Sequence, residues 1–273
     1  MGYSRRRRKR KHAMEVIIQT SKLTASHLAA RYLKKRIEKK PDLSLGLPSG
    51  QTPLLLYKEL IRMHRDEGLD FSGVTLFLLD EFVGINASHP ASHRGMLKSN
   101  LLDHVNIDPG RVVCPDVSGK DLHGAAEAYE QAIREAGGID LQVLGIGPAG
   151  HLGFNEPMSS LGSRTRSKTL SPRTRQDFAA DFGGEGLVPS YMMTMGIGTL
   201  LEAKEINLLA FGREKAEVLA QSIEGPVASI MPASALQLHP VVKIFLDQEA
   251  ASGLRHAAYY TWVYSRKPEQ QKF

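Results

Sequence analysis

The chain has a single cysteine, Cys114, and a single tryptophan among 273 residues, and aromatic residues make up only 7% of it. One thiol excludes an intrachain disulfide framework and suits a reducing compartment. No stretch approaches the roughly 20 apolar residues that span a bilayer. The N-terminal bases are followed by no apolar segment of the kind a secretory signal needs. A soluble, cytoplasmic protein with no membrane partner is expected. Basic charge is also scarce outside the first residues. Residues 1–13 hold seven of the 35 Lys and Arg (Arg5 to Arg8, Lys9, Arg10 and Lys11) and none of the 29 Asp and Glu, so the rest is near neutral. A nucleic-acid-binding body spreads basic charge over a folded face, so no nucleic-acid partner is expected. The tail fits a localisation signal or polyanion-binding arm or, more plainly, a disordered extension. Met14-Glu15-Val16-Ile17-Ile18 reads as the start of a first strand.

What the chain does have is a hydrophobic fraction of 42%, enough over this length to bury a large core. Two periodicities alternate along it. Residues 26–39 have helical spacing, with Leu28, Tyr32, Leu33 and Ile37 apolar, and 43–47 is a short strand. Residues 53–64 are helical again, and 74–79 is a continuous apolar run suited to a central strand. Residues 122–136 read as a helix stopped by Gly137-Gly138. Strands follow at 140–144, 206–211 and 241–246, with a helix at 214–223. Between them 159–186 is polar and irregular, rich in Ser, Thr and Arg. This alternation predicts an α/β fold: one domain over 14–264, doubly wound about a mostly parallel sheet with helices on both faces. Residues 265–273 read as a frayed polar end.

Candidate chemistry gathers at the ends of the predicted strands, the edge where open parallel sheets bind small ligands. Leu144-Gly145-Ile146-Gly147-Pro148-Ala149-Gly150-His151-Leu152-Gly153-Phe154-Asn155-Glu156-Pro157 follows the 140–144 strand and sets an imidazole five positions from a carboxylate. Pro157 turns Glu156 out of helical geometry, onto extended chain beside the histidine. His151 and Glu156 are therefore acid/base candidates. The Gly-x-Gly-x-x-Gly pattern of this loop matches a dinucleotide fingerprint, but no acid stands about 20 positions on to hold a ribose. Nicotinamide binding is rejected. Zinc is not expected, since no second His or Cys lies at ligand spacing.

Gly46-Leu47-Pro48-Ser49-Gly50-Gln51-Thr52-Pro53 joins a strand to a helix, with Thr52 as N-cap and Pro53 as first helical residue. Free amides at such a junction bind anions; the alternative is an ordinary tight turn. Asp80-Glu81 follows the 74–79 strand. Adjacent acids there are commonly caps or solvated, yet one on the same edge as His151 is placed to act as a general base. Lys215, near the start of the 214–223 helix, fits a phosphate contact or a surface lysine. His239, ahead of the last strand, is expected to be a structural hydrogen-bonder. Arg164, Arg166, Lys168, Arg173 and Arg175 make the irregular segment basic, as a lid, an effector site or a solvated loop.

These segments resemble the glucosamine-6-phosphate deaminase (isomerase) family. The matching stretches are GLPSGQTP over 46–53, LLDEFVGI over 78–85, LGIGPAGHLGFNEP over 144–157, SSLGSRTR over 159–166, MTMGIGTLLEA over 193–203 and SALQLHP over 234–240. The resemblance implies a doubly wound α/β fold, in a superfamily shared with 6-phosphogluconolactonases and ribose-5-phosphate isomerases. It implies an enzyme that converts glucosamine 6-phosphate to fructose 6-phosphate and ammonia, with no metal or organic cofactor, as a monomer or a homo-oligomer. Asp80 then matches the base that moves a proton between C2 and C1 of the opened sugar. His151 matches the group that opens the ring by protonating its oxygen, and Glu156 the acid paired with that histidine. Ser49, Gly50, Gln51, Thr52, Gly147, Gly150 and Lys215 match substrate contacts, with the phosphate on the 49–52 loop and Lys215. Ser159, Ser160, Arg166 and Lys168 match positions that bind a sugar-phosphate activator.

The chain departs from the family pattern at four places. Ala149 stands where a carboxylate usually completes the catalytic set, and Ala180 where an arginine usually grips phosphate. Phe82 replaces a common tyrosine, and Ala258 an effector-site hydroxyl residue. Arg173 and Arg175 are candidate replacements for the missing arginine. A sugar-phosphate lactonase, or a sensor whose catalysis is lost at Ala149, are the alternatives left open.

Overall fold

Strands covered by helices on both faces need apolar side chains on both sides, and the runs at 43–47, 74–79, 140–144, 206–211 and 241–246 supply them. A computed structural model describes residues 13–268 and 271. The basic stretch 1–12 lies outside the described residues, as do 269, 270, 272 and 273 at the polar end. The first half of the chain runs β1 (Ala13–Gln19), α1 (Lys22–Lys39), β2 (Ser44–Leu47), α2 (Leu54–Glu67), β3 (Thr75–Leu78), β4 (Asp80–Phe82), α3 (His93–Asn100), β5 (Val112–Val113) and α4 (Leu122–Glu135). The second half runs β6 (Leu141–Leu144), β7 (Arg166–Thr169), α5 (Pro172–Phe182), β8 (Tyr191–Thr194), α6 (Ile197–Leu201), β9 (Ile206–Ala210), α7 (Ala216–Glu224), β10 (Val241–Asp247) and α8 (Ala257–Ser265).

Seven strands form a parallel sheet in the order β1-β10-β9-β6-β2-β3-β5. The other three, β4-β8-β7, make a small antiparallel sheet. Only Leu79 separates β3 from β4, so the chain passes directly from the large sheet into the small one. Strand side chains alternate between two cores, as a period of two requires. Ile206, Leu208, Val242, Ile244 and Leu246 face Tyr129, Ile133, Leu200 and Leu219 on one side. Leu141, Val143, Leu209 and Phe245 face Leu28, Leu33, Tyr57 and Leu60 on the other. This is the expected doubly wound α/β domain.

The boundaries differ from expectation where capping decides them. α1 starts four residues before 26 because Ser21 and Thr24 form a capping box: Thr24 N donates to Ser21 Oγ at 3.2 Å and Ser21 N to Thr24 Oγ1 at 3.1 Å. Thr52 does not cap α2. Pro53 takes that place with helical dihedrals, and Thr52 lies instead against the glycine loop, 3.9 Å from where a Cβ on Gly145 would stand. The segment 159–186 is not irregular; it holds β7 and α5. Its Ser171-Pro172 start is an N-cap followed by proline at the first helical position, and Gly183 (φ 76°) ends the helix. The polar composition hid an apolar pair one turn apart, Phe178 and Phe182, which close on Phe82 with ring centroids 5.3 and 4.9 Å away. α8, before the polar end, was not apparent from periodicity. His239 is structural as expected: Nε2 donates to Ala203 O at 2.7 Å, and Nδ1 accepts from Val241 N at 3.1 Å.

Candidate active site

Asp80 and the 144–157 loop leave different strands of the parallel sheet, and the small sheet draws them together. Asp80 opens β4 opposite Thr194 on β8. Phe154 N donates to Thr194 Oγ1 at 3.1 Å, which seats the loop on that ladder. Asn155 is fully buried and completes the seat: Nδ2 donates to Leu152 O at 2.9 Å and to Met195 O at 2.7 Å. Gly153 has φ +55°, and a Cβ there would lie 3.2 Å from Asp80 Oδ2, so a bare Cα lets loop and carboxylate meet. Gly147 is bare for a sharper reason. A Cβ on it would fall 1.8 Å from His151 Nε2, because the imidazole lies directly on its backbone. The loop is closed beneath the ring by Gly147 N donating to His151 O at 3.0 Å.

The sequence candidates fall into three groups. His151 and Glu156 share a cavity of about 270 Å³, together with Ala149, Thr174, Arg173 and Asp177. Asp80 and Lys215 are not among its lining residues, but both charges act on the His151 ring. Lys215 Nζ donates to Ile146 O at 3.0 Å, beside the glycines, and Thr52 meets the same loop at Gly145. Ser49, Gly50, Gln51, Gly147 and Gly150 are likewise outside the cavity lining. Gly150 is buried against the Met231 sulfur.

Glu156 does not pair with His151 by a hydrogen bond among the described residues. Its Oε1 accepts from Ser171 N at 3.2 Å and Thr174 Oγ1 at 2.6 Å, at the start of α5. A carboxylate at a helix N-terminus is favourably placed, and α5 therefore holds Glu156 on the cavity wall. Burial is the largest influence on His151 and pushes its pKa below that of a free imidazole. Glu156, Asp80 and Asp177 oppose the shift, and Lys215 adds to it. Burial likewise lowers the Lys215 pKa, against the pull of Glu214 and Asp177.

The adjacent acids after β3 have separate roles. Glu81 caps α3, its Oε1 accepting from His93 N at 3.0 Å and its Oε2 from Arg94 N and Ser92 Oγ at 2.9 and 2.8 Å. Asp80, 3% exposed, meets His93 Nδ1 at 2.6 Å through Oδ1. His93 was not legible as a site residue: it stands 13 positions from Asp80 with no motif between them. Its only signal is the preceding serine, an N-cap that starts a helix just after the acids.

Of the proposed arginine replacements, Arg173 faces the cavity, whereas Arg175 is tied to Glu185 O at 2.9 Å. Ala180 is exposed and does not line the cavity. The effector candidates lie along one stretch but in unlike settings. Ser159 is buried with its Oγ unpartnered, and Ser160 is exposed. Arg166 donates to Asn155 Oδ1 at 2.9 Å, and Lys168 lies opposite Met192 in the β7–β8 ladder.

The sequence pattern of the family described as glucosamine-6-phosphate isomerases/6-phosphogluconolactonase matches residues 19–243. The chain belongs to this family. It is 48% identical to a glucosamine-6-phosphate deaminase of Arthrobacter sp. (strain FB24), over 94% of this chain and 99% of that one. It is 45% identical to one of Streptomyces coelicolor, over 94% and 99%. A solved structure described as a monomeric glucosamine-6-phosphate deaminase superposes with a TM-score of 0.86 at 40% identity, covering 88% of this chain and all of that one. A 6-phosphogluconolactonase from Trypanosoma cruzi, at 22% identity and a TM-score of 0.70, shares the fold. Members of the family thus divide between two chemistries on one scaffold, and the deaminases stand nearer to this chain.

Proposed function

We propose that this family member is a glucosamine-6-phosphate deaminase, producing fructose 6-phosphate and ammonia. The observation that carries this reading is the convergence of Asp80, His151 and Glu156 at one sheet edge, although the first comes from β4 and the other two from the 144–157 loop. Burial lowers the His151 pKa below that of a free imidazole, which favours the neutral ring, and that ring accepts the anomeric hydroxyl proton and returns it to the ring oxygen as the ring opens. Glu156, one wall of the cavity, favours the imidazolium that forms in passing. Asp80 then takes the proton from C2 and delivers it to C1, while O1 takes a proton from the amino group, so that C1 becomes a primary alcohol. C2 is left as an imine, which water hydrolyses to the ketone and ammonia. The substrate phosphate is assigned to the 49–52 loop, Lys215 and the cavity-facing Arg173. Charge on both partners strengthens such contacts, and a guanidinium fork adds directionality.

One feature favours a second reading, a sugar-phosphate sensor whose catalysis is lost. Ala149 lines the cavity beside His151, and Glu156 makes its hydrogen bonds to α5. Ammonia release from purified protein, compared with Asp80→Asn, separates the two. The deaminase reading expects a loss of about 10²–10⁴-fold in the variant. Ligand-induced thermal stabilisation with no turnover in either protein would favour the sensor.

A further inference from the structure

Asp80 is the proposed base, and among the described residues its carboxylate is held by one side chain. His93, the first residue of α3, is 4% exposed and brings Nδ1 to within 2.6 Å of Asp80 Oδ1. The other carboxylate oxygen, Oδ2, faces Gly153 on the catalytic loop. The two oxygens therefore have different surroundings. We propose that His93 is the positioning residue for Asp80: its Nδ1–H holds Oδ1 so that Oδ2 alone is presented for proton transfer. This rests on the reading of Asp80 as the base.

The surroundings of the ring support an orienting role. Phe82 on β4, Phe154 on the loop and Phe178 on α5 enclose it, with centroids 5.1, 5.9 and 6.2 Å away, and none of them carries charge. The backbone N–H of His93 is fixed separately by Glu81 Oε1 at 3.0 Å, so the ring is anchored at both ends. The charged and titratable groups around the pair are few. Asp80 and Glu81 act on His93, and Arg94 follows it on α3. Tyr57, Tyr129 and His151 feel the Asp80 charge. Burial works against a charged His93 ring, but the Asp80 carboxylate, its hydrogen bond and Glu81 together hold the pKa above that of a free imidazole. In either charge state Nδ1 keeps its proton, because an ionised carboxylate only accepts.

The test compares two variants of the full chain in the ammonia-release assay. His93→Leu removes the donor, and His93→Asn replaces it with an amide N–H at a similar position. For His93→Leu, kcat is expected to fall by about 10²-fold, the effect of a misplaced catalytic group, with KM little changed. The acid limb of its kcat–pH profile is expected to move to higher pH, because a carboxylate without its donor holds a proton more readily. His93→Asn should recover most of kcat and restore the limb. Equal losses in both variants with an unmoved limb would reduce His93 to packing and overturn the proposal. A measurement on the unmodified protein is independent of variant folding. In the ¹⁵N spectrum of histidine-labelled protein, His93 Nδ1 should stay protonated through neutral pH, and an unprotonated Nδ1 overturns the proposal. Asp80→Asn separates the two failures. If it still turns over, the base assignment falls and the positioning role with it. If it is inactive while His93→Leu works normally, only the positioning role falls.

Discussion

The two edges of the parallel sheet use their carboxylates in opposite ways. Where strands begin, Asp140 just ahead of β6 accepts from Lys204 Nζ at 2.7 Å, from the Ser44 amide at 2.9 Å and from Lys40. Glu205, just ahead of β9, is held by Tyr32, by Lys243 at 2.8 Å and by Arg36 at 3.3 Å. Where strands end, Asp80 accepts from an imidazole, and Glu156 from an amide and a hydroxyl. Among the described residues no lysine or arginine pairs with either. A carboxylate locked between ammonium groups is committed to structure. One held by fewer donors stays available for proton transfer. Charged residues at the two edges thus look alike in the sequence and differ only in what surrounds them.

Breaking the strand-end edge should cost rate. His151→Asn is expected to lower ammonia release by about 10²–10⁴-fold while leaving the urea midpoint near that of the unmodified protein. Breaking the strand-start edge should cost stability instead. Asp140→Ala is expected to lose about 2 kcal/mol in urea denaturation at pH 7, less than a fully buried pair because its lysines regain water. Its kcat should be unchanged, and a matching fall in kcat would show that the edges are not separable. A smaller effect is expected from Ala149→Asp, which adds a carboxylate to the cavity beside His151. Ammonia release should rise severalfold, and no change would mean that the site is built around the alanine.

The smallest effect is on pH dependence. Burial alone would raise the Asp140 pKa, but the hydrogen bonds from Lys204, Lys40 and Ser44 hold it below the usual carboxylate range. A depressed folded pKa gives stability that is present above the unfolded value, about 3.9, and lost as pH falls through the folded one. The stability gap between the unmodified protein and Asp140→Ala should therefore narrow on acidification below about pH 3.9. Urea midpoints measured down that range check it, and a constant gap would remove the ion pairs from the explanation.

The parallel sheet was legible because its strands are apolar on both sides, and that pattern has few other outcomes in a chain of this composition. The histidine and the acid of the 144–157 loop were legible because they lie on one short stretch at a strand end. α5 was not, since only Phe178 and Phe182 carry its apolar face among charged neighbours. The setting of Glu156 was hidden with it, because the residues that hold that carboxylate start the same helix. Thr52 shows the reverse error, a good capping residue that leaves the N-cap place of α2 to Pro53. His93 lay beyond pattern reasoning altogether, as its meeting with Asp80 depends on where β4 turns into α3.

The contact between Gly147 and the imidazole has a consequence for how far this loop can vary. The ring fills the volume in which a methyl group would stand, so no side chain fits there unless the ring swings aside. A saturation scan of the loop should find almost no tolerance four positions upstream of the histidine. Even the smallest replacement there would leave a folded molecule whose imidazole is misaimed.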